Sequence, residues 1–274
     1  MILINIVKDL FLFVYEIYEK RYLIYELVKR DFKARYMGSL FGLFWAILQP
    51  LLMNAIMWFV FTYGLKAGTG PMGVPFVCYL FVGMLAWNFF ADSVAGSTNV
   101  VTEYSFLVKK INFRLSILPI VKILSASILS FIFLLIVVLI LFYNKIYPSF
   151  WWPQFLYYMA ASMFLALGLS WITSAMNVFL KDISYIVSIL IQFGFWMTPI
   201  FWDITVLPES WRVFVKLNPM AYIVNGYRDS FLYNKPFWQG DLFSIIYFWS
   251  FTLAALLIGI IVFKRLRPHF ADVI

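Results

Sequence analysis

Two ionisable side chains stand where few do. Asp92 is the only charge between Ala67 and Thr102, and Lys122 opens a charge-free run from Ile123 to Asn144. At ~1.5 Å per helical residue, Asp92 falls ~9–12 Å from the inner end of its apolar run, with Lys122 at a similar depth. An unpaired charge at that depth is costly, so a partner is expected. The spacing predicts a structural ion pair between Asp92 and Lys122. A proton or ion relay needs a longer chain of acids and bases than this single acid offers.

Rings are the other unusual resource, at 22% of the chain. Trp45 and Trp58 flank Gln49-Pro50, a kink signal. Phe193 and Trp196 precede Thr198-Pro199, and Tyr222 and Tyr227 lie further on. Membrane aromatics commonly face lipid or sit at its interfaces. Sugars, however, stack their C–H faces on rings, so a ring-lined path with few charges suits a glycan. Trp45, Trp58, Phe193, Trp196, Tyr222 and Tyr227 are the candidates for such a lining.

Other chemistries lack their residues. The single cysteine, Cys78, and single histidine, His269, exclude a disulfide framework and a His/Cys metal site. No Gly-x-x-x-x-Gly-Lys-Ser/Thr phosphate loop and no Gly-x-Ser-x-Gly elbow occurs. A membrane-embedded glycosyl- or acyltransferase would have to draw on Asp203, Glu209, Asp229 or His269, none beside a second catalytic type. An ion-coupled carrier would show several intramembrane acids or an inverted repeat.

These residues must be positioned by membrane helices. The 274 residues are 64% hydrophobic and 12% charged, with a mean hydropathy of +0.89. The expected fold is all-α and integral to the membrane. Six apolar runs are each long enough to cross ~30 Å of hydrocarbon: about 40–63, 76–98, 118–142, 152–177, 183–201 and 242–263. The runs are continuous, which excludes the alternation of a β-barrel. Of 21 Lys and Arg, fifteen fall on the side of the termini, so both termini are expected in the cytoplasm. The net charge of +8 is then a matter of orientation and lipid headgroups, not of nucleic acid. The N-terminus, broken by Asp9, Glu16 and Glu19, does not read as a cleaved signal peptide.

Three segments are expected outside the hydrocarbon. Residues 21–37 form an amphipathic interfacial helix with Ile24, Leu27, Val28, Phe32 and Tyr36 on one stripe. Residues 103–116 form the largest cytoplasmic loop. The segment 205–233 reads as an external pair of half-inserted helices. Pro208-Glu209 opens the first, and Asn218-Pro219 caps and opens the second. Gly38-x-x-x-Gly42 is at most a packing signal.

In this order, "RDFKARYMGSLFGLFWAILQPLL" (30–52), "WNFF" (87–90), "FLVKKINFRLSILPI" (106–120), "NVFLKDISYI" (177–186), "WMTPIFW" (196–202) and "LNPMAYIVNGYRDSFL" (217–232) resemble the permease subunit of ABC exporters of polysaccharides and polyol phosphates. Those are the O-antigen, capsule and teichoic-acid exporters, and the likeness covers about residues 21–265. It implies a homodimer in the bacterial inner membrane, paired with a separate ATPase subunit that holds ATP and Mg, with no cofactor in this chain. It implies ATPase coupling through 21–37 (Arg30, Arg35), 103–116 (Glu103, Lys109, Lys110, Arg114) and the Lys181-Asp182 turn. It also implies an external gate hairpin around Asn218, Pro219 and Arg228, and a lipid-linked polysaccharide as substrate. Teichoic-acid, drug or other lipid exporters are the neighbouring expectation within the class.

Overall fold

The computed structural model describes residues 15–36, 42–66, 69–108 and 114–273. Among these the secondary structure is helical apart from turns and one isolated bridge between Thr69 and Pro75. The main helices are α1 (Arg21–Tyr36), α2 (Gly42–Phe59), α3 (Phe76–Thr98), α4 (Leu118–Tyr143), α5 (Phe155–Asn177), α6 (Asp182–Met197), α7 (Glu209–Lys216), α8 (Pro219–Arg228) and α9 (Leu242–Leu266). α2 runs on as a π-turn, Val60–Gly64. Five of these helices, α2 through α5 and α9, are long and apolar enough to span a bilayer.

The expected span 183–201 is shorter than its apolar run. α6 has 16 residues and ends at Met197, because Thr198 precedes Pro199 and takes the extended conformation that a pre-proline residue favours. At ~1.5 Å per residue it covers about 24 Å.

α3 is the axis of the bundle. Of its span, 78% is buried, against 11% for α2. Its neighbours are α4, α5, α6 and α8, with fewer contacts to α2. α5 and α9 cross at glycines. A Cβ on Gly168 would stand 2.7 Å from the Leu256 nitrogen, and one on Gly259 would stand 2.6 Å from the Gly168 oxygen. Backbones therefore touch at this crossing, the arrangement small residues permit between membrane helices. The Gly38-x-x-x-Gly42 packing signal has its first glycine outside the described residues.

Two apolar cores result. The larger surrounds α3 and runs to the hairpin α7–α8. The smaller gathers Ile24, Leu27 and Val28 of α1 with Val100, Val101, Ile117, Leu118, Val121, Trp171 and Phe263. α1 thus presses its stripe onto protein, at the end where α3 and α5 finish and α4 begins. This is the basic end, and the hairpin marks the far end.

Candidate functional site

At the basic end, the buried face of α1 carries Ile24, Leu27, Val28 and Asp31. That is helical i, i+3, i+4, i+7 spacing with an acid at the last position. Asp31 is 4% exposed. Lys122 Nζ lies 2.6 Å from Asp31 Oδ1 and 2.6 Å from Glu103 Oε2. Tyr104 donates its hydroxyl to Asp31 Oδ1 at 3.4 Å. Burial, and after it the Asp31 carboxylate, push the Tyr104 phenol up to about 12, so it stays protonated and able to donate.

This corrects the expected Asp92–Lys122 pair. Depth along two helices does not fix the direction in which side chains point, and Lys122 turns toward α1 and the loop. Asp92 makes no ion pair among the described residues. Its nearest electrostatic partner is Arg35, whose guanidinium lies against Gly96, one turn from Asp92. Asp31, the missed partner, was signalled by its place on the apolar stripe.

The other basic-end candidates are brought partly together. Arg30 stacks over Phe106 at 5.5 Å, and Arg114 pairs with Glu16 at 2.9 Å. Glu103 stays half-exposed while holding Lys122. Lys181 and Asp182 are exposed at the α5–α6 turn. Lys109 and Lys110 lie outside the described residues.

At the far end, α8 is stitched to the segment that follows α6. Asn218 caps its own helix by accepting from the Met220 N–H at 3.0 Å, and Pro219 occupies the first turn. Asn218 Nδ2 also donates to Thr198 Oγ1 at 2.8 Å. Arg228, 1% exposed, donates to the carbonyls of Pro199 (2.7 Å) and Ile200 and stacks 3.5 Å over the Tyr79 ring. Gly83 leaves room for it, since a Cβ there would stand 2.8 Å from Nη2. No carboxylate pairs with Arg228 among the described residues. Carbonyl dipoles and a ring face hold the cation instead.

The aromatic candidates divide. Trp45, Phe193 and Trp196 are more than half exposed and lie on α2 and α6. Trp58 is half-buried, edge-on to Tyr63 at 5.9 Å. Tyr222 and Tyr227 are turned into the bundle, which corrects their assignment to a lining. Tyr222 shares a hydroxyl contact with Tyr157 at 3.0 Å and packs on Phe248 at 4.8 Å. Tyr227 is 1% exposed against Phe155 and Phe231. α8 packs on α3, α5 and α9, so its rings serve as anchors. α2 and α6 are the helices left uncovered: Asn54 is the one buried residue of α2, and Val187 that of α6.

An all-α bundle with a basic module at one end, a stitched hairpin at the other and two uncovered ring-bearing helices is a multi-pass membrane protein of the transport type. The description "ABC-2 type transporter" matches residues 22–232, and the chain belongs to that family. It is similar to the O-antigen export system permease protein RfbA of Klebsiella pneumoniae, 26% identical over 254 residues, covering 92% of this chain and 95% of the relative. The protein of the same name from Myxococcus xanthus is 28% identical over 267 residues, covering 94% and 97%.

Proposed function

We propose that this chain is the membrane subunit of an ATP-driven exporter that moves a lipid-linked polysaccharide out of the cytoplasm across the bacterial inner membrane. Two copies face each other across α2 and α6, and the path runs between them. α6 crosses the membrane as the fifth of six spans, both termini are cytoplasmic, and the basic end meets a separate ATPase subunit that binds ATP and Mg.

The observation that carries this reading is the open face of α6, a helix with Val187 as its one buried residue and ten of its sixteen residues exposed. A 16-residue apolar helix bearing Phe193 and Trp196 has its polar backbone satisfied but its side chains uncovered. A second copy covers part of them and leaves rings along a seam. One bundle with helices ~8–10 Å apart has no width for a hydrated sugar chain. The names of the relatives agree with a glycan as cargo, and the charge-poor rings agree with the chemistry of stacking.

Co-expression with candidate ABC ATPases tests the reading. The ATPase is expected to co-purify, and its turnover in liposomes to depend on this chain. Phe193→Cys is expected to give oxidised dimers, since the native Cys78 is buried. Monomers under oxidation, together with ATP turnover indifferent to the chain, would reject the proposal.

A further inference from the structure

α1 has a second face, turned away from the protein. The helical backbone runs back from α1 to Tyr15, through the bonds from the Lys20 N–H to the Glu16 carbonyl and from the Ile24 N–H to the Lys20 carbonyl, both 2.9 Å. Along it Tyr15, Tyr18, Tyr22 and Tyr25 recur every three or four residues, each more than half exposed. That spacing puts the four phenols on one side, opposite Ile24, Leu27 and Asp31. A row of exposed tyrosines suits a membrane interface, where the ring meets the acyl boundary and the hydroxyl meets head groups.

The row leads to a groove between α1 and α4. It is lined by Tyr25, Val28, Lys29, Phe32 and Lys33 of α1 and Ile128 of α4, and it holds about 210 Å³. Phe32 is braced by Tyr36, with ring centroids 5.0 Å apart. Lys29 and Lys33 stand one turn apart and exposed, and neither makes an ion pair among the described residues. No acid lines the groove. Asp31 lies on the other side of α1, held by Lys122. On α4, Ile128 opens an exposed apolar stripe that continues through Phe131, Leu135, Leu139 and Phe142. α4 starts at the basic end, so the stripe leads from the lysines toward the far end. From Ile128 to Leu139 it covers about 16 Å, close to one leaflet of a ~30 Å hydrocarbon core.

An acidic peptide would use the two lysines and leave the stripe bare. A zwitterionic lipid would cover the stripe but bring its own cation beside the lysines. An anionic lipid satisfies both parts. The groove is too small for acyl chains, which must leave it along α4. We propose that this groove binds an anionic phospholipid from the leaflet at the basic end. Its phosphate rests between Lys29 and Lys33, whose aliphatic stems lie along the groove. Its glycerol esters lie at Val28 and Phe32, and an acyl chain follows Ile128, Phe131 and Leu135. The lipid joins α1 to α4 from outside, where Asp31 and Lys122 join them from within. The site lies on α4, apart from α2 and α6, and does not rest on the proposed export.

Native mass spectrometry of the full-length chain in detergent tests this, with equimolar phosphatidylglycerol and phosphatidylcholine of the same acyl chains. The wild type is expected to retain the glycerol lipid about tenfold over the choline lipid, within what two lysines supply at an anionic surface. Lys29→Gln/Lys33→Gln is expected to bring that ratio close to one. Lys29→Arg/Lys33→Arg is expected to keep it, and so is Arg265→Gln/Arg267→Gln, which removes the same charge elsewhere at the basic end. Ile128→Trp, which fills the groove without touching a charge, is expected to remove the retained glycerol lipid. Equal retention of the two lipids by the wild type, or an unchanged ratio in Lys29→Gln/Lys33→Gln, would overturn the assignment. So would an equal fall in Arg265→Gln/Arg267→Gln, unchanged adducts in Ile128→Trp, or displacement of the glycerol lipid by an equimolar polyprenyl diphosphate. All are read on this chain alone, so they stand apart from any result with an ATPase.

Discussion

Lys122 at the basic end and Arg228 at the far end are both buried cations, held in opposite ways. Lys122 is clasped by two carboxylates from two separate segments, Asp31 of α1 and Glu103 of the loop after α3. Arg228 has no carboxylate partner among the described residues and is held by backbone carbonyls of 199 and 200 and by the Tyr79 ring. The first arrangement joins two separate elements through side chains, with Asp31 buried and Glu103 half-exposed. The second fixes one cation to main chain that cannot be rearranged without refolding the turn after α6. The basic end is therefore joined through side chains alone, and the far end ties its hairpin to the main chain after α6.

The comparison breaks most sharply at Lys122→Met. Removing the cation leaves Asp31 buried and unpaired, which costs about 3–5 kcal/mol. A large drop in the melting temperature of the detergent-purified chain is expected, with much of it recovered in Lys122→Met/Asp31→Asn. Absence of recovery would mean that packing, not charge, holds α1. Arg228→Met removes the charge itself and orphans two carbonyls, for about 2–4 kcal/mol. No single second substitution is expected to restore it, and Arg228→Lys is expected to restore little, because the flat fork serves both carbonyls and ring.

Gly226→Ala probes the same hairpin by shape. A Cβ there would sit 2.1 Å from the Tyr158 ring, so a loss of about 1–3 kcal/mol is expected from thermal melts. The smallest effect belongs to the exposed pair Lys216–Asp241, 2.8 Å apart. The Lys216 ammonium holds the Asp241 carboxyl below the usual carboxylate range. Its contribution is present above the unfolded value, ~4, and fades as pH falls through the lower folded one. Asp241→Asn is expected to flatten the acid limb of a stability-against-pH curve only slightly, and salt is expected to mask the difference.

Much of this was legible in the sequence for local reasons. Runs without charge located α3 and α4 almost to the residue, since span length is set by the hydrocarbon and the charges beside it. Asn218-Pro219 announced α8, because capping is a short-range hydrogen bond. What failed was direction around a helix axis. Lys122 was assigned to Asp92 by depth, yet it points to α1. Tyr222 and Tyr227 were assigned to a lining by type, yet they lie on the packed face of α8. In a helix apolar all round, composition does not distinguish the face toward neighbours from the face toward lipid. Arg228 read as a gate residue from its motif, but nothing local foretold carbonyls of 199 and 200 as its partners.

The early stop of α6 has a consequence for the far end. A helix of about 24 Å set in ~30 Å of hydrocarbon leaves a deficit of roughly 6 Å, and Pro199 puts that deficit at the far end. The turn at 198–202, roofed by α8, fills the gap with hydrogen-bonded main chain where lipid tails would otherwise reach. If α6 crosses as proposed, the far end is closed over this helix by turn main chain and not by another apolar helical turn.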